Sequence, residues 1–332
     1  MNITVLTKHE MEQVITMREV IEGDKEALAL YSAGSSEIPL RANLAIKKYE
    51  GNSLYMPGYA EEARALGIKI VSVYPHNAEK GLTAVPAAMV LLNAETGEIK
   101  ALMDGTFLTQ LRTGAAAGAA TDLLAREDSR IFALIGSGGQ AEMQLEAVLT
   151  VRPIREVRVF SPTAAHRDAF VQRMQAKFGT KYAVKITAVE SADEAVTGAD
   201  IITAVTVAQQ PVFDGSKVKP GAHINGMGSY TPEMQELPEN ILQRAGKIYL
   251  DTRDGVLHEA GDFLTPMQAG HFCADCITGE LGELVLKKTA GRSNPEEITV
   301  FKSTGTAVLD IVVAQKIYER AIEKGIGTAI TL

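Results

Sequence analysis

The chain has 332 residues, a length that suits two domains better than a single core. Apolar residues make up 46% and charged residues 22%, which excludes a disordered or fibrous protein. A formal charge of −8 argues against nucleic acid or an anionic membrane surface as the main partner. The opening stretch MNITVLTKHEME lacks the basic and apolar segments of a signal peptide, so we expect a cytoplasmic protein.

The first third of the chain predicts one helix followed by a mostly antiparallel sheet. Apolar residues recur at helical spacing from residue 10 to the glycine at residue 34. Five stretches then predict strands: PLRANLAIKKY, SLYMPGYA, GIKIVSVYP, TAVPAAMVLLN and EIKALMD. NAETGE predicts a hairpin between the last two strands, and Thr106 is a suitable N-cap for the long helix that follows.

From Arg130 onward, strands alternate with helices, a pattern typical of a parallel, doubly wound sheet. A last strand leads into a long C-terminal helix whose apolar face can pack back on the first domain. We therefore predict an α/β fold with two domains. The Rossmann-type domain comprises residues 119–305, and the smaller α+β domain for substrate binding and dimerisation comprises residues 1–118 with 306–332.

FALIGSGGQAE carries the most chemical information in the sequence. It fits G-x-G-x-x-A, directly after an apolar strand and at the start of a helix. The first glycine permits a tight turn, the second leaves room for a pyrophosphate, and the alanine allows close helix–strand packing. The helix N-terminus offers free N–H groups to phosphates. Although glycines also occur in ordinary turns, we predict dinucleotide contacts from Gly136, Ser137, Gly138, Gly139, Gln140 and Ala141.

The residues after the second strand of this domain indicate which nucleotide is bound. An acidic side chain there would bind the ribose 2′-hydroxyl of NAD. The sequence instead has Ser161 and Thr163, with His166 and Arg167 close behind, and no acid that would repel a 2′-phosphate. We therefore predict NADP(H) as the preferred cofactor and NAD(H) as the alternative. The same residues also suit an ordinary turn with a hydroxyl helix cap.

Three basic residues lie on separate apolar elements of the first domain. Lys69 shares a strand face with Val71, Arg41 lies in PLRANLAI, and Arg112 precedes a helical run of alanine and glycine. A lysine at such a position either extends to solvent or faces an anion. Because arginine forks suit bidentate carboxylate binding, three such cations in one domain predict a carboxylate pocket.

Two further segments offer small residues and free backbone groups near strand ends. They are INGMGS, in the doubly wound domain, and FKSTGTA, before the last helix. Sheets of this class bind ligands at the carboxyl ends of their strands, so we predict that both segments contact the nicotinamide end of the cofactor. Ordinary glycine turns are the alternative.

The two cysteines, Cys273 and Cys276, form a CxxC sequence. A zinc site would need a second pair of ligands at suitable spacing, and the sequence offers none. We therefore expect two reduced thiols and no metal.

Over nearly its full length the chain resembles the ornithine cyclodeaminase/mu-crystallin family. The resembling segments run in family order: PLR, GIKIVSVYP, MDGTFLTQLRTGAAAGAAT, IGSGGQA, GAHINGMGSYTPEMQELP and VFKSTGTAVLDIVVA. The resemblance implies a two-domain NAD(P)-dependent oxidoreductase of amino-acid metabolism. It also implies a homodimer that forms through the sheet of the first domain.

The resemblance implies roles for particular residues. Arg41, Lys69 and Arg112 fall on family positions that hold the substrate carboxylate, and we add Met56 to the predicted substrate pocket. Besides the glycine turn and the residues after the second strand, the implied cofactor contacts are Thr113, Ala204, Val205, Thr206, Gly226, Met227, Gly228, Lys302, Ser303 and Gly305.

The residue at position 230 separates two chemistries. The family's cyclodeaminases place an aspartate in this segment, where it engages the distal amino group of the substrate. This chain has Tyr230, and a phenol cannot offer an ammonium group the same charge-assisted hydrogen bond.

We therefore predict a reductase of a cyclic ketimine, acting on Δ1-pyrroline-2-carboxylate to give L-proline or on Δ1-piperideine-2-carboxylate to give L-pipecolate. Lys69, Arg112 and Tyr230 are the predicted catalytic residues. The alternatives are an ornithine cyclodeaminase, an alanine dehydrogenase, and a non-enzymatic NADP-binding protein of the crystallin type.

Overall fold

The structure is a computed structural model that describes residues 1–77 and 79–332 in full. The chain divides into two compact units. Unit 1 comprises residues 1–112 and 306–332, and unit 2 comprises residues 113–305.

The strands in chain order are β1 (Asn2–Leu6), β2 (Ser36–Glu37), β3 (Ala42–Ile46), β4 (Gly51–Ala60), β5 (Ala65–Val73), β6 (Ala87–Leu92), β7 (Ile99–Asp104), β8 (Ile131–Ile135), β9 (Glu156–Phe160), β10 (Lys185–Ala188), β11 (Ile201–Ala204), β12 (His223–Gly226), β13 (Lys247–Leu250), β14 (Gly279–Glu280), β15 (Thr299–Lys302) and β16 (Thr328–Thr331). The α-helices are α1 (Lys8–Val14), α2 (Met17–Ala33), α3 (Gly105–Leu124), α4 (Ala141–Val151), α5 (Ala164–Tyr182), α6 (Ala192–Val196), α7 (Glu239–Arg244), α8 (Arg253–Glu259), α9 (Gly261–Gln268), α10 (Leu281–Val285) and α11 (Ala307–Lys324). Short 3-10 helices lie at Lys47–Tyr49, Pro75–Lys80, Gly215–Lys217 and Ala274–Cys276.

Unit 1 contains an eight-stranded sheet in the order β16-β1-β7-β6-β5-β4-β2, with β3 also paired to β4. β1 runs parallel to β7, and the other neighbours are antiparallel, as the sequence predicted. Strands β1 and β16 were not predicted. They are short, and they pair with each other across almost the whole length of the chain, from Asn2 to Thr331.

Two local predictions in unit 1 are wrong. The single helix predicted from residue 10 to residue 34 is divided, because Thr16 adopts an extended backbone and caps α2 in a capping box with Glu19. Thr106 is not the N-cap of α3. The Asp104 carboxylate accepts the Phe107 N–H at 2.9 Å, and the Thr106 hydroxyl accepts instead from the Ala87 N–H at 2.9 Å.

Helix α11 is the central helix of unit 1 and packs against α2, β4 and β5. Its predicted apolar face is buried: Val308, Ile311, Val312 and Ile317. Asp310 lies within this buried stretch and is itself fully buried. An acid at such a position requires a partner, because an isolated buried charge is costly.

Unit 2 is a parallel, eight-stranded sheet in the order β10-β9-β8-β11-β12-β15-β13-β14. The predicted α/β class with a Rossmann-type sheet is confirmed. The strand order reverses between β8 and β11, the position at which such sheets bind ligands. Across the described chain, every helix is too short or too polar to span a bilayer.

Candidate functional site

The glycine turn after β8 has the shape that a pyrophosphate requires. Gly136 has a φ of +111°, and an added Cβ there would lie 2.5 Å from the Val205 carbonyl oxygen, so a larger residue would be strained and would clash. The position of an added Cβ at Gly138 has no atom within 4 Å, which leaves open space at the start of α4. Ala141 is fully buried at the beginning of that helix. These residues fit a dinucleotide bound through the N-terminus of α4.

The turn after β9 presents two hydroxyl residues at its surface. Thr163 is exposed and occupies the N-cap of α5 without a side-chain capping bond, and Ser161 is half-buried. Arg167 is different, because its guanidinium is buried and already bound. It donates to Asp168 at 3.0 Å, to the Val189 carbonyl at 2.9 Å and to Glu190 at 2.9 Å. The charge that we predicted for a 2′-phosphate is therefore paired with two carboxylates of the protein.

Glu236 connects the loops that follow β11 and β12. Its buried carboxylate accepts the N–H of Thr206 on one oxygen. The other oxygen accepts the N–H of Gly228 at 2.6 Å and of Ser229 at 2.9 Å. Burial raises the pKa of Glu236, with Asp262 adding to the shift and the charge of Lys302 opposing it. The two loops, which contain several of the predicted cofactor contacts, are thus held by one side chain that the sequence did not single out.

The structure gives a different reason for one glycine of INGMGS. An added Cβ at Gly228 would overlap the backbone of Thr206 in the neighbouring loop. Gly228 therefore makes room for the protein's own chain, and the predicted contact of this segment with the nicotinamide stays a prediction. Met227 is buried beside it, and its N–H donates to the Ala204 carbonyl at 2.8 Å. Tyr230, which we predicted to separate this chain from the cyclodeaminases, is half-buried in the same segment.

Lys302, a predicted cofactor contact, has its side chain paired with an acid of the protein. It is fully buried at the end of β15, where its Nζ lies 2.8 Å from Oδ2 of Asp262, which is also fully buried. The other Asp262 oxygen accepts the N–H of Glu236 at 2.6 Å and of Leu237 at 2.8 Å. The ion pair therefore positions the segment from which the Glu236 carboxylate extends.

A third buried acid, Asp251, holds the loop after β15. One of its oxygens accepts from the Ser303 hydroxyl at 2.6 Å and from the N–H groups of Thr304 at 3.1 Å and Gly305 at 2.8 Å. Burial raises the pKa of Asp251, and these hydrogen bonds oppose the shift. The sequence could have indicated this role, because Asp251 directly follows a buried strand, where an acid can accept hydrogen bonds from a neighbouring loop.

Thr113 is the one predicted cofactor contact on α3. It is nearly buried, and its carbonyl accepts from Nε2 of Gln144 on α4 at 3.0 Å. Gln144 is fully buried, so this bond gives its side-chain N–H a partner where α4 meets Thr113 of α3.

In unit 1, two of the predicted basic residues meet at one carboxylate. The Nζ of Lys69 lies 2.9 Å and 2.8 Å from the two oxygens of Asp310, and Nε of Arg112 donates to Oδ1 at 2.8 Å. Lys69 is 1% exposed and Arg112 is 5% exposed, so neither side chain extends to solvent. Asp310 is the partner that the sequence did not reveal.

The charges and hydrogen bonds of this cluster leave one nitrogen of Arg112 available to bind a ligand. Burial, together with the charges of Arg112 and Arg41, lowers the pKa of Lys69 to about 7, against the opposing effect of Asp310. Arg41 precedes β3, is half-buried and is close enough for its charge to act on Lys69. Met56 faces Lys69 across the β4–β5 pair and is buried. Among the described residues, Nη1 of Arg112 is buried with no hydrogen-bond partner. An unsatisfied guanidinium nitrogen suits a carboxylate ligand.

No metal centre accompanies these groups in the described part of the chain, where no cluster of three or more His, Cys, Asp or Glu could hold an ion. Cys273 and Cys276 are free and exposed.

The family model described as "Ornithine cyclodeaminase/mu-crystallin family" matches residues 1–325. The chain belongs to this family. A Δ1-pyrroline-2-carboxylate reductase from Bacillus cereus is 40% identical over 326 residues, which are 98% of this chain and 99% of that protein.

Two solved structures of the family have the same fold. The Δ1-pyrroline-2-carboxylate reductase of Thermococcus litoralis, in complex with NADH and L-proline, is 40% identical with a TM-score of 0.94 and covers 99% of this chain and 100% of its own. An archaeal alanine dehydrogenase dimer with bound NAD is 34% identical with a TM-score of 0.91 and covers all of both chains. The family member described here is an NAD(P)H-dependent oxidoreductase, as the sequence predicted.

Proposed function

We propose that this family member reduces the cyclic ketimine Δ1-pyrroline-2-carboxylate to L-proline. The observation that carries the proposal is the buried pair Lys69 and Arg112, with one free guanidinium nitrogen, in a chain 40% identical to reductases of this substrate. A buried cluster of this kind recognises a carboxylate. The six-membered Δ1-piperideine-2-carboxylate carries the same carboxylate and is the second substrate that we propose.

The protein's part in the reaction is mainly binding and orientation. Arg112 and Lys69, with Arg41 nearby, hold the substrate carboxylate and so fix the position of the C=N carbon. The nicotinamide, when bound, supplies the hydride. The ring nitrogen gains a proton in the same reaction, and we propose that the Tyr230 hydroxyl donates a hydrogen bond to it. In this proposal residues 1–118 with 306–332 bind the substrate, and residues 119–305 bind the cofactor.

We propose NADPH as the preferred cofactor, with NADH accepted. Two observations support this. No acidic residue lies in the stretch from Ser161 to Thr163, and the Thr163 hydroxyl makes no capping hydrogen bond at the start of α5. Pairing of Arg167 with Asp168 and Glu190 reduces the preference that its charge could provide. The test is kcat/KM with each cofactor, together with Thr163→Asp, which should weaken NADPH more than NADH because it places a carboxylate beside the 2′-phosphate.

The substrate is tested by following NADPH oxidation with the two cyclic imines and with pyruvate plus ammonia. We expect the highest kcat/KM with Δ1-pyrroline-2-carboxylate. Faster reduction of pyruvate would instead indicate an alanine dehydrogenase, the activity of the 34% identical solved relative. Release of ammonia from ornithine with catalytic NAD would indicate a cyclodeaminase. No turnover with any of them, with NADPH still bound, would favour a non-enzymatic binding protein.

We propose a homodimer that forms through the sheet of unit 1. One face of that sheet packs against α11, and the opposite face has a row of apolar residues in register across β4, β5, β6 and β7: Pro57, Ile68, Val90 and Leu102. Ile70 and Leu102 on this face are 36% and 39% exposed. A continuous apolar face is typical of a protein interface. Light scattering of wild type and Ile70→Lys tests this, since the charge should yield monomers.

The cytoplasmic location stays a prediction.

A further inference from the structure

Asp24 is an acid at a core position of α2. It lies among residues that repeat at helical spacing and are all buried: Val20, Ile21, Ala27 and Leu28. Asp24 is itself fully buried. Within the described residues, neither of its carboxyl oxygens has a hydrogen-bond partner. A buried polar group without a partner is unusual enough in native proteins to require an explanation.

The charged groups that face Asp24 come from the helices packed around it. Arg112 on α3 and Asp310 on α11 act on it directly, and Lys69 on β5 and Arg41 before β3 belong to the same cluster. Asp310 is bonded to both Lys69 and Arg112, whereas Asp24 has neither as a partner. Burial raises the pKa of Asp24 well above its usual value; the charge of Arg112 opposes this shift, and the smaller effect of Asp310 adds to it.

We propose that Asp24 is a positioning residue that stays protonated and thereby leaves Nη1 of Arg112 free for the carboxylate of a ligand. With Asp24 neutral, the buried side chains of Lys69, Arg112 and Asp310 carry a single positive charge, and the half-buried Arg41 adds a second one beside them. This inference rests on the proposed carboxylate-binding role of the cluster. It does not depend on which imino acid is the substrate.

Ionised Asp24 would compete with the ligand. A second carboxylate beside Arg112 would attract the free guanidinium nitrogen and cancel the net positive charge of the buried side chains. Carboxylate affinity therefore falls with rising pH for two reasons. Lys69 loses its proton as the pH passes about 7, and Asp24 loses its own proton and becomes a competitor. Asp24→Asn keeps the shape and removes only the second reason.

The protonation state is measured first, by infrared difference spectroscopy at neutral pH. Asp24→Asn should lose the C=O stretch of a protonated carboxyl relative to wild type. The matched control is Glu22→Gln on the same helix, whose 55% exposed carboxylate pairs with Lys25 and should lose only an ionised carboxylate band. If Asp24→Asn does not fold, wild type with 13C-labelled aspartate carboxyls gives the same readout by NMR, as a titration of Asp24 well above the usual range of aspartate, resolved from that of Asp251.

Binding is measured second, by calorimetry with pyrrole-2-carboxylate, an unreactive planar monocarboxylate, in the presence of NADP+. We expect its affinity for wild type to fall more steeply with rising pH than its affinity for Asp24→Asn. Above the pH at which Asp24 ionises, the variant should bind more tightly than wild type, by up to about a factor of ten for each further pH unit.

Two results would overturn the proposal: a difference spectrum between wild type and Asp24→Asn that contains no protonated carboxyl band, or a variant that binds the probe at least tenfold more weakly at every pH. Failure of the proposed function has a different signature. The probe would then not bind wild type at any pH, while the spectroscopic test of Asp24 would remain valid.

Discussion

Removing the charge of Asp262 while keeping its shape tests the buried network of unit 2. In Asp262→Asn the amide oxygen can still accept the N–H groups of Glu236 and Leu237, so the change is confined to the charge opposite Lys302. Both members of this pair are completely buried, and the variant leaves the lysine as an uncompensated buried cation. Breaking such a pair costs about 3–5 kcal/mol. For a unit of this length that corresponds to a fall in Tm of about 6–20 °C.

The assay is thermal and urea unfolding followed by far-UV circular dichroism. Asp262→Asn/Lys302→Met removes both charges and should recover most of the lost stability, because the uncompensated cation is gone. Asp128→Asn is the matched control, since its 68% exposed carboxylate pairs with Arg126 at the surface and should cost less than about 1 kcal/mol. Two results would refute this reasoning. One is a loss of unfolding free energy in Asp262→Asn as small as that of the control. The other is a double variant whose loss equals the sum of those of Asp262→Asn and Lys302→Met.

The remaining predictions concern binding and pH. Glu236→Gln should raise the Kd for NADPH about tenfold or more, because the neutral amide cannot accept all three N–H groups that order the two loops; calorimetry measures this, and an unchanged Kd would contradict it. Arg112→Lys should lower kcat/KM for the imine by about 2–5 kcal/mol of transition-state binding with the NADPH Kd unchanged, since the fork is lost; kinetics near the wild-type value would count against the carboxylate assignment. KM for the imine should rise as the pH passes about 7, because Lys69 is protonated and attractive below its pKa and neutral above it; a KM independent of pH would exclude this role.

Unit 2 was the more predictable part of the fold. Its central strands are buried on both faces and read as short apolar runs, and most strands are followed by a turn and a helix, so local pattern was sufficient. In unit 1 the missed elements depend on distant partners. Strand β1 is defined by pairing with β7 and β16, and its five residues carry no distinctive alternation.

In each buried ion pair of the candidate site, the sequence pointed to the basic residue but not to its acidic partner. Lys69 and Arg112 stood out because cations on apolar elements are rare, and the structure brings them together. The opposing acids were not predictable in the same way. Asp310, Asp262 and Asp24 lie in helices rich in apolar residues, where an acid is meaningful only once its neighbours in space are known. Gly228 shows the same limit, since its constraint comes from the backbone of another loop.

The position of Asp310 also bears on how the chain folds during synthesis. Arg112 and Asp310 are separated by 198 residues, and all of unit 2 lies between the two segments that make up unit 1. Until α11 leaves the ribosome, Lys69 and Arg112 have no counter-ion, and burying them would be costly. Unit 2, a continuous stretch, has no such requirement. Nascent chains that stop before residue 310 should therefore contain a folded unit 2 and an unfolded unit 1. The cation cluster would then form only after almost the whole chain has been synthesised.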